Sequence, residues 1–229
     1  MKLRTVFIAL LIGAVSCSDP KEEPPITIPG QEYFPLQTNR FITYAVDSTR
    51  IIQNAGSNYK FQLRVSVTGS FLNAEGNVTY RLQREKRRDA TQPWKAAGTW
   101  SAYKTDQRAV VTEGTICYIK LAFPASVGTG WNGNALNNLG GEDLCNNNSK
   151  CDHYVVTDIS NDVLEVTQED RDDPIMLDLR IERYSKNVGL TYKHSTTLEY
   201  CTGDPCSGVA GYVVDGLKYT QQMIDSGTL

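Results

Sequence analysis

Apolar and polar residues alternate along most of this chain. Between Phe61 and Val67, apolar residues occupy every second position, and Gln, Arg and Ser fill the positions between them. A period of two is typical of a β-strand with one buried face. Residues 73–77 carry the Asn and Gly of a turn, and the alternation resumes from Val78 to Leu82. The two runs predict a β-hairpin.

Other segments repeat this pattern at short intervals. The longest alternating run is 190–200, and the pair 154–159 and 163–168 flanks a Ser-Asn-Asp turn. The chain also contains 12 Tyr and 18 Gly, a composition that favours sheet. We therefore expect one all-β, mostly antiparallel domain over 31–229, with eight or more strands in a curved sheet, open barrel or sandwich and little helix. Further strands are predicted at 34–46, 94–103 and 107–112.

The N-terminus has the pattern of a bacterial lipoprotein signal. Lys2 and Arg4 precede an apolar stretch, 6–15, which is too short to span a bilayer because a spanning helix needs about 20 residues. Small residues lead into Cys17, where a signal peptidase would cut once the thiol is acylated. The pattern predicts a signal peptide over 1–16 and a lipid anchor on Cys17. The alternative is an ordinary secretory signal that a cysteine happens to follow.

Residues 17–30 are predicted to form the lipidated cysteine and its tether. Four prolines in this stretch favour a stiff, extended chain. The acidic tract 18–23 resembles the tract that follows the lipidated cysteine in surface-exposed lipoproteins of the Bacteroidota type. That resemblance implies a protein that is anchored by lipid in the outer membrane and exposed at the cell surface.

Two further motifs resemble secreted β-proteins and lipoproteins of the same kind. Residues 33–36 (Tyr-Phe-Pro-Leu) are similar to an opening strand, with Asn39 where Gly is usual and Phe41 near the usual Trp. Residues 184–192 resemble a hairpin in which an aromatic residue precedes a Gly-Val-Gly-like turn. The preceding segment, 174–184, fits either a strand or a helical face, and the hairpin resemblance favours the strand. The motifs imply no particular activity.

The cysteines suggest disulfide bonds rather than a metal site. Five cysteines remain beyond Cys17, in a compartment that permits disulfides. Their spacing predicts two local bridges, Cys145–Cys151 and Cys201–Cys206, each closing a short loop. Cys117 is left over, and it shares a strand face with Ile, Leu and Phe residues, which predicts a buried free thiol. A zinc site is disfavoured because no second cysteine pair has matching spacing.

The long segment 127–153 interrupts the strand pattern. A structureless connection of that length is usually functional or flexible. It contains Trp131 within Gly-Thr-Gly-Trp-Asn-Gly-Asn, and an aromatic ring among amides can stack on a sugar and hydrogen-bond to it. Trp131, Asn132 and Asn134 are therefore the candidate contact residues. The alternative is that Trp131 packs its own loop onto the core.

Catalytic motifs are absent from the sequence. The chain lacks the nucleophile-elbow, zinc-protease, Walker A and Rossmann patterns, and it has only two histidines, His153 and His194. Acidic clusters at 142–143 and 169–173 could bind a cation or serve hydrolysis, but a solvated loop and an acidic turn explain them more simply. We expect no catalytic residue, no cofactor and no metal site.

Charge excludes one class of partner. Without its signal the chain has 21 basic and 26 acidic residues, and its one basic run, 81–88, fits a solvated strand end. Such a chain is a poor nucleic-acid binder. The sequence favours a non-catalytic binding module that contacts the membrane through its lipid anchor and binds a glycan or an envelope protein. An envelope hydrolase using acidic residues and a structural assembly lipoprotein are the alternatives.

Overall fold

The computed structural model describes residues 27–137, 153–203, 206 and 209–229. Within these ranges the chain forms one short 3-10 turn, Gln31–Tyr33, and twelve strands. No helix in these ranges is long and apolar enough to cross a bilayer. The strands are β1 (Arg40–Ile52), β2 (Ala55–Leu72), β3 (Val78–Arg87), β4 (Lys95–Lys104), β5 (Arg108–Glu113), β6 (Ile116–Ala122), β7 (Gly130–Asn132), β8 (His153–Ser160), β9 (Val163–Asp173), β10 (Met176–Ser185), β11 (Gly189–Tyr200) and β12 (Val213–Thr228).

All twelve strands belong to one antiparallel sheet. The order is β6-β5-β4-β3-β2-β1-β12-β11-β10-β9-β8-β7. Strands that follow one another in the chain are therefore neighbours, except that β6 and β7 form the two edges, and β12 returns to pair with β1. The sheet curves into a barrel that is nearly closed. The expectation of a mostly antiparallel β fold is confirmed.

The edge strands β6 and β7 approach each other where the barrel closes. The Ile119 amide donates to the Gly133 carbonyl over 2.9 Å, and the Trp131 indole N–H donates to the Ile119 carbonyl over 2.8 Å. The Asn137 side chain accepts from the Cys117 amide and donates to its carbonyl, both over 2.8 Å. These bonds satisfy backbone groups that an open sheet edge would leave unpaired.

Because the strands run alternately up and down, the connections lie at two ends of the barrel. We call the end where β1 begins and β12 finishes the N-terminal end. The opposite end, which we call the disulfide end, carries the β11–β12 connection with its Cys201–Cys206 bridge, whose Cα atoms lie 6.1 Å apart. This predicted bridge is confirmed, and closing so short a loop contributes about 2 kcal/mol in the chain-entropy model.

The predictions for the other cysteines are either untested or only partly correct. Cys17, Cys145 and Cys151 lie outside the described residues, so their lipidation and pairing stay predictions. Cys117 is free, but it is half-buried rather than buried, and its sulfur contacts the Thr112 hydroxyl at 3.4 Å. Its position near the start of β6, an edge strand of the sheet, is consistent with this lower burial.

Residues 27–39 cross the N-terminal end of the barrel. The predicted strand at 34–46 is wrong in its first part, since β1 begins at Arg40. Phe34 packs instead between two apolar clusters of the barrel interior, one on each side. The Gln31 carbonyl accepts from the Lys104 ammonium at the end of β4, and the Glu32 carbonyl accepts from the amide of Asn187 between β10 and β11. The apolar residues of this segment therefore close one end of the barrel.

The remaining elements show where alternation was informative. The hairpin of β2 and β3 is confirmed, and the ambiguous segment 174–184 is a strand, β10. The tight turn at Gln53 and Asn54, both with positive φ, was missed, and so was the whole of β12. β12 was missed because its inward-facing residues include Tyr219 and Gln221, which interrupt the series of apolar side chains.

Candidate functional site

A cavity of about 420 Å³ lies inside the barrel. Its volume falls within the roughly 300–1,000 Å³ of small-molecule sites in proteins. Leu217 both lines the cavity and is 36% exposed, so the cavity reaches solvent beside β12. Most of the wall is apolar, and it includes Phe34, Leu36, Ile42, Leu63, Val65 and Trp100.

The apolar wall is built by the alternation seen in the sequence. Ile42 and Tyr44 of β1 lie opposite Val65 and Leu63 of β2 in the strand register, and all four line the cavity. Since side chains in a strand alternate between two faces, the apolar half of this hairpin points inward and the polar half outward. Phe34 and its neighbours close the N-terminal end of the same cavity.

One side of the cavity carries a buried network of charges. Glu182 on β10 is 1% exposed, and its Oε1 lies 3.1 Å from the Lys120 ammonium and 3.3 Å from that of Lys193. The Tyr184 hydroxyl donates to the other carboxylate oxygen of Glu182. Lys120 also lies 2.9 Å from Glu113. Each ammonium and carboxylate in this network therefore has a partner of opposite charge.

The network keeps Glu182 and Lys120 ionised in spite of burial. Burial alone would raise the pKa of Glu182, but the charges of Lys120 and Lys193 and the hydrogen bonds from Tyr184 and Lys120 lower it to about 2. Burial likewise opposes the charge of Lys120, and Glu182 and Glu113 outweigh it, so that the pKa of Lys120 is raised. Glu182 is a charged structural group at neutral pH and not a proton donor.

A bulge places Lys120 inside the barrel. Strict alternation along β6 puts Lys120 on the face opposite Leu121, yet both residues are buried, at 6% and 0% exposure. The register of β5 and β6 shifts between Ala109 and Val110, which leaves one extra residue on β6 at this point. A bulge lets two consecutive side chains occupy one face.

Arg84 on β3 differs from the other basic residues of the cavity. Its guanidinium carbon lies 3.6 Å from the centroid of the Trp100 ring, and its Nε is buried without a hydrogen-bond partner. No hydrogen bond or ion pair joins it to any residue that the structure describes. Burial lowers the pKa of Arg84, while Tyr219 and Glu113 act in the opposite direction. The residue as a whole is half-buried, and a partly buried cation usually has a carboxylate partner in proteins.

The predicted contact residues lie at the barrel seam and not in the cavity wall. The Trp131 side chain is half-buried and packs edge-on against Tyr154, with ring centroids 5.9 Å apart. The Asn132 side chain accepts from the Asn134 amide, and Asn134 accepts from the Asn137 side chain. This geometry agrees with the alternative interpretation, in which Trp131 packs its own loop onto the core. Binding of a glycan at this loop stays a prediction.

Replacing Trp131 with Ala should lower the free energy of unfolding by about 2–3 kcal/mol, somewhat less than the loss of a fully buried aromatic side chain. The change removes both the ring contact with Tyr154 and the bond to Ile119 that helps to close the barrel. Urea unfolding measures the effect. Trp94→Ala is the matched control, since Trp94 stacks under Arg64 and Arg87 outside the core clusters. Unchanged stability with lost glycan binding would support the contact-surface interpretation instead.

The other predicted polar groups do not line the cavity. Within 169–173, Glu169 lies 3.7 Å from Arg180 and Asp173 bonds to Arg171. The His194 ring bonds to the Thr196 hydroxyl, and His153 is exposed at the start of β8. The cluster 142–143 lies outside the described residues. Across the ranges that the structure covers, no group of three or more metal-ligating residue types could hold a metal ion.

Comparison with known proteins adds no relative. No family model, no curated protein and no solved structure matches this chain.

The charged residues of the cavity were not predicted from the sequence. Glu182 and Lys193 lie on strands that were predicted, but alternation does not show which face of a strand points into a barrel. The one available signal was Lys120, a lone charge within the apolar run 116–123. A lysine in such a run requires either an outward face or a buried carboxylate, and the structure supplies two carboxylates.

Proposed function

We propose that this protein is a lipid-anchored lipoprotein of the outer membrane and a non-catalytic binding module, which holds a small and largely apolar molecule inside its barrel. The observation that carries the proposal is the cavity of about 420 Å³ with its apolar wall. We therefore expect the ligand to bind in the cavity and not at the Trp131 loop.

Packing energetics support a ligand in this space. Protein interiors are normally filled by their own side chains to a density of about 0.75. Apolar groups that face a large cavity lose dispersion contacts, and they gain them back when an apolar ligand fills the space. Here the side chains of several strands and of the N-terminal segment line the cavity without filling it. A bound apolar molecule would complete the core.

The lipid anchor would place the cavity close to a source of apolar molecules. Thr27, the first described residue, follows Cys17 by ten positions. A fully extended chain of that length spans at most about 35 Å. Thr27 belongs to the segment that crosses the N-terminal end of the barrel, so an anchor on Cys17 would hold that end near the bilayer.

Binding can be tested with a neutral fluorescent probe. We expect N-phenyl-1-naphthylamine to bind the purified full chain with increased emission. Ser195 on β11 lines the cavity, and Ser195→Trp should fill part of it and weaken probe binding at least about ten-fold, since a larger side chain competes with the ligand for the same volume. Ser57 on β2 is exposed, so Ser57→Trp is the matched control and should leave binding unchanged.

Two results would contradict the proposal. The first is no probe binding by the unaltered protein, and the second is equal weakening by both tryptophan variants. If Ser195→Trp fails to fold, Val65→Phe narrows the same cavity from β2 by a smaller increase in volume. Circular dichroism of each variant shows whether the fold is kept.

A further inference from the structure

We propose that the ligand of the cavity is an anionic amphiphile, with an apolar body in the barrel and one acidic head group, a carboxylate or related oxyanion, bound by Arg84. This inference rests on the proposed function and adds the chemical class of the ligand. It combines the charge of the cavity wall with the position of one unpaired guanidinium.

The charge of the wall is opposite to that of the whole chain. The chain has a formal net charge of −3. The residues that line the cavity nevertheless include four basic and two acidic side chains, namely Arg40, Arg84, Lys120, Lys193, Glu113 and Glu182. An excess of positive charge in a low-dielectric enclosure favours an anion.

Three of the four basic side chains already have partners. Lys120 lies within 3.1 Å of both Glu113 and Glu182, and Lys193 lies 3.3 Å from Glu182. Arg40 donates to the Asn187 carbonyl over 2.7 Å at the N-terminal end. Arg84 alone among them has no hydrogen bond or ion pair with a described residue. Arg84 is thus the basic side chain of the wall whose donors are left for one negative group on the ligand.

The stacking of Arg84 leaves its donors available. Trp100 covers a face of the guanidinium, with 3.6 Å between the central carbon and the ring centroid. Stacking engages the face of the group, so the N–H donors at its edge remain free for an acceptor in the plane. A carboxylate can accept two parallel bonds from such an edge. The ring also holds the guanidinium in place before the ligand arrives, which reduces the entropy lost on binding.

Apolar side chains flank Arg84 along the cavity wall, and they determine the chemistry of the rest of the ligand. Arg84 lies opposite Val65 in the register of β2 and β3, and Leu82 on the same strand also lines the cavity. A sugar or a polyanion would leave polar groups against this wall without partners, at a cost for each unpaired group. An apolar chain with one acidic head group can pack against the apolar wall and also pair with the guanidinium.

The test compares ligands that differ only in the head group. Dodecanoate, dodecyl phosphate and dodecanol are each titrated into the full chain with bound N-phenyl-1-naphthylamine. The concentration of each that displaces half of the probe gives its relative affinity. We expect dodecanoate to bind at least ten-fold more tightly than dodecanol, because a hydrogen-bonded charge pair in a cavity is worth about one factor of ten or more. The phosphate arm distinguishes a carboxylate site from a general oxyanion site, and a preference for either anion over dodecanol supports the inference.

Arg84→Gln should reduce dodecanoate affinity at least ten-fold and leave dodecanol affinity within about two-fold. Arg81→Gln is the matched control, since Arg81 lies on the same strand, stacks on Phe71 at 5.1 Å and is exposed. It should change neither affinity. Arg84→Lys keeps the charge without the planar edge, and it should retain part of the preference for the anion.

The outcomes separate the two proposals. If dodecanol binds and dodecanoate binds no better, the assignment of Arg84 is wrong while the binding function stands. If no ligand displaces the probe, the proposed function fails and this inference fails with it. The head-group comparison on the unaltered protein decides the question even if Arg84→Gln does not fold.

Discussion

Replacing Glu182 with Leu should lower the free energy of unfolding by about 3–5 kcal/mol, the usual cost of removing one partner from a buried ion pair. Glu182 is 1% exposed and is the shared partner of Lys120, Lys193 and Tyr184. Without it, Lys120 keeps only Glu113 and remains 6% exposed. Urea unfolding at pH 7 measures the loss.

Two variants serve as controls for this substitution. Glu165→Leu removes a carboxylate from a partly exposed pair with Arg183, and it should cost less than about 1 kcal/mol. Adding Lys120→Met to Glu182→Leu removes the buried cation as well, so part of the lost stability should return. A Glu182→Leu protein as stable as the Glu165→Leu protein would contradict the buried network.

The same network predicts how stability depends on pH. The pKa of Glu182 is about 2 in the folded protein, against a reference value of 4.5. A lowered folded pKa stabilises the protein fully above pH 4.5, and that contribution is lost as the pH falls from about 4.5 towards 2. The fall in stability over this window should therefore be shallower in Glu182→Leu. Equal slopes in the two proteins would show that Glu182 is not held charged by its partners.

Replacing Cys17 with Ala should abolish membrane association completely. The thiol of Cys17 is the predicted acceptor of the acyl chains, and two or three chains hold a protein on a bilayer, whereas one gives only marginal binding. The apolar stretch 6–15 is too short to span the membrane by itself. Membrane fractionation and metabolic labelling with palmitate measure the effect. Cys117→Ala is the matched control and should keep both the label and the membrane fraction.

Palmitate label that persists in Cys17→Ala would contradict the lipoprotein assignment. The alternative of an ordinary secretory signal makes the opposite prediction, namely that neither variant carries label and both are released. The experiment therefore decides between the two interpretations of the N-terminus. Its result does not test the proposed cavity site.

Local patterns were sufficient to predict much of the sheet. The run from Phe61 to Val67 predicted β2 and its buried apolar face, since a period of two in a strand translates directly into two faces. The structure shows that this face forms part of the cavity wall. The short spacing of Cys201 and Cys206 predicted their bridge, because few geometries are open to so short a loop. Residues 34–39 were assigned wrongly to a strand, because an apolar segment that closes a barrel end has the same composition as a strand.

The charged groups of the cavity could not be predicted in the same way. Glu182, Lys120 and Lys193 come from β10, β6 and β11, so their meeting depends on how the sheet curves. Lys120 further depends on a bulge, which shifts the face of a residue without any mark in its own sequence. Arg84 was assigned from the sequence to a solvated basic run. The pairing of β3 with β4 places it beside Trp100, and the curvature of the sheet turns that face towards the cavity.

The sequence by itself determined the class of fold, the local disulfide and most strand positions, because these follow from the period of apolar residues and from short chain spacing. It also predicts the lipid anchor. The tertiary structure decided that the sheet curves into a nearly closed barrel and which side of each strand faces inward. It also decided that the Arg84 side chain faces the cavity without a hydrogen-bond or ion-pair partner among the described residues. These depend on contacts between residues far apart in the chain, which no local pattern records.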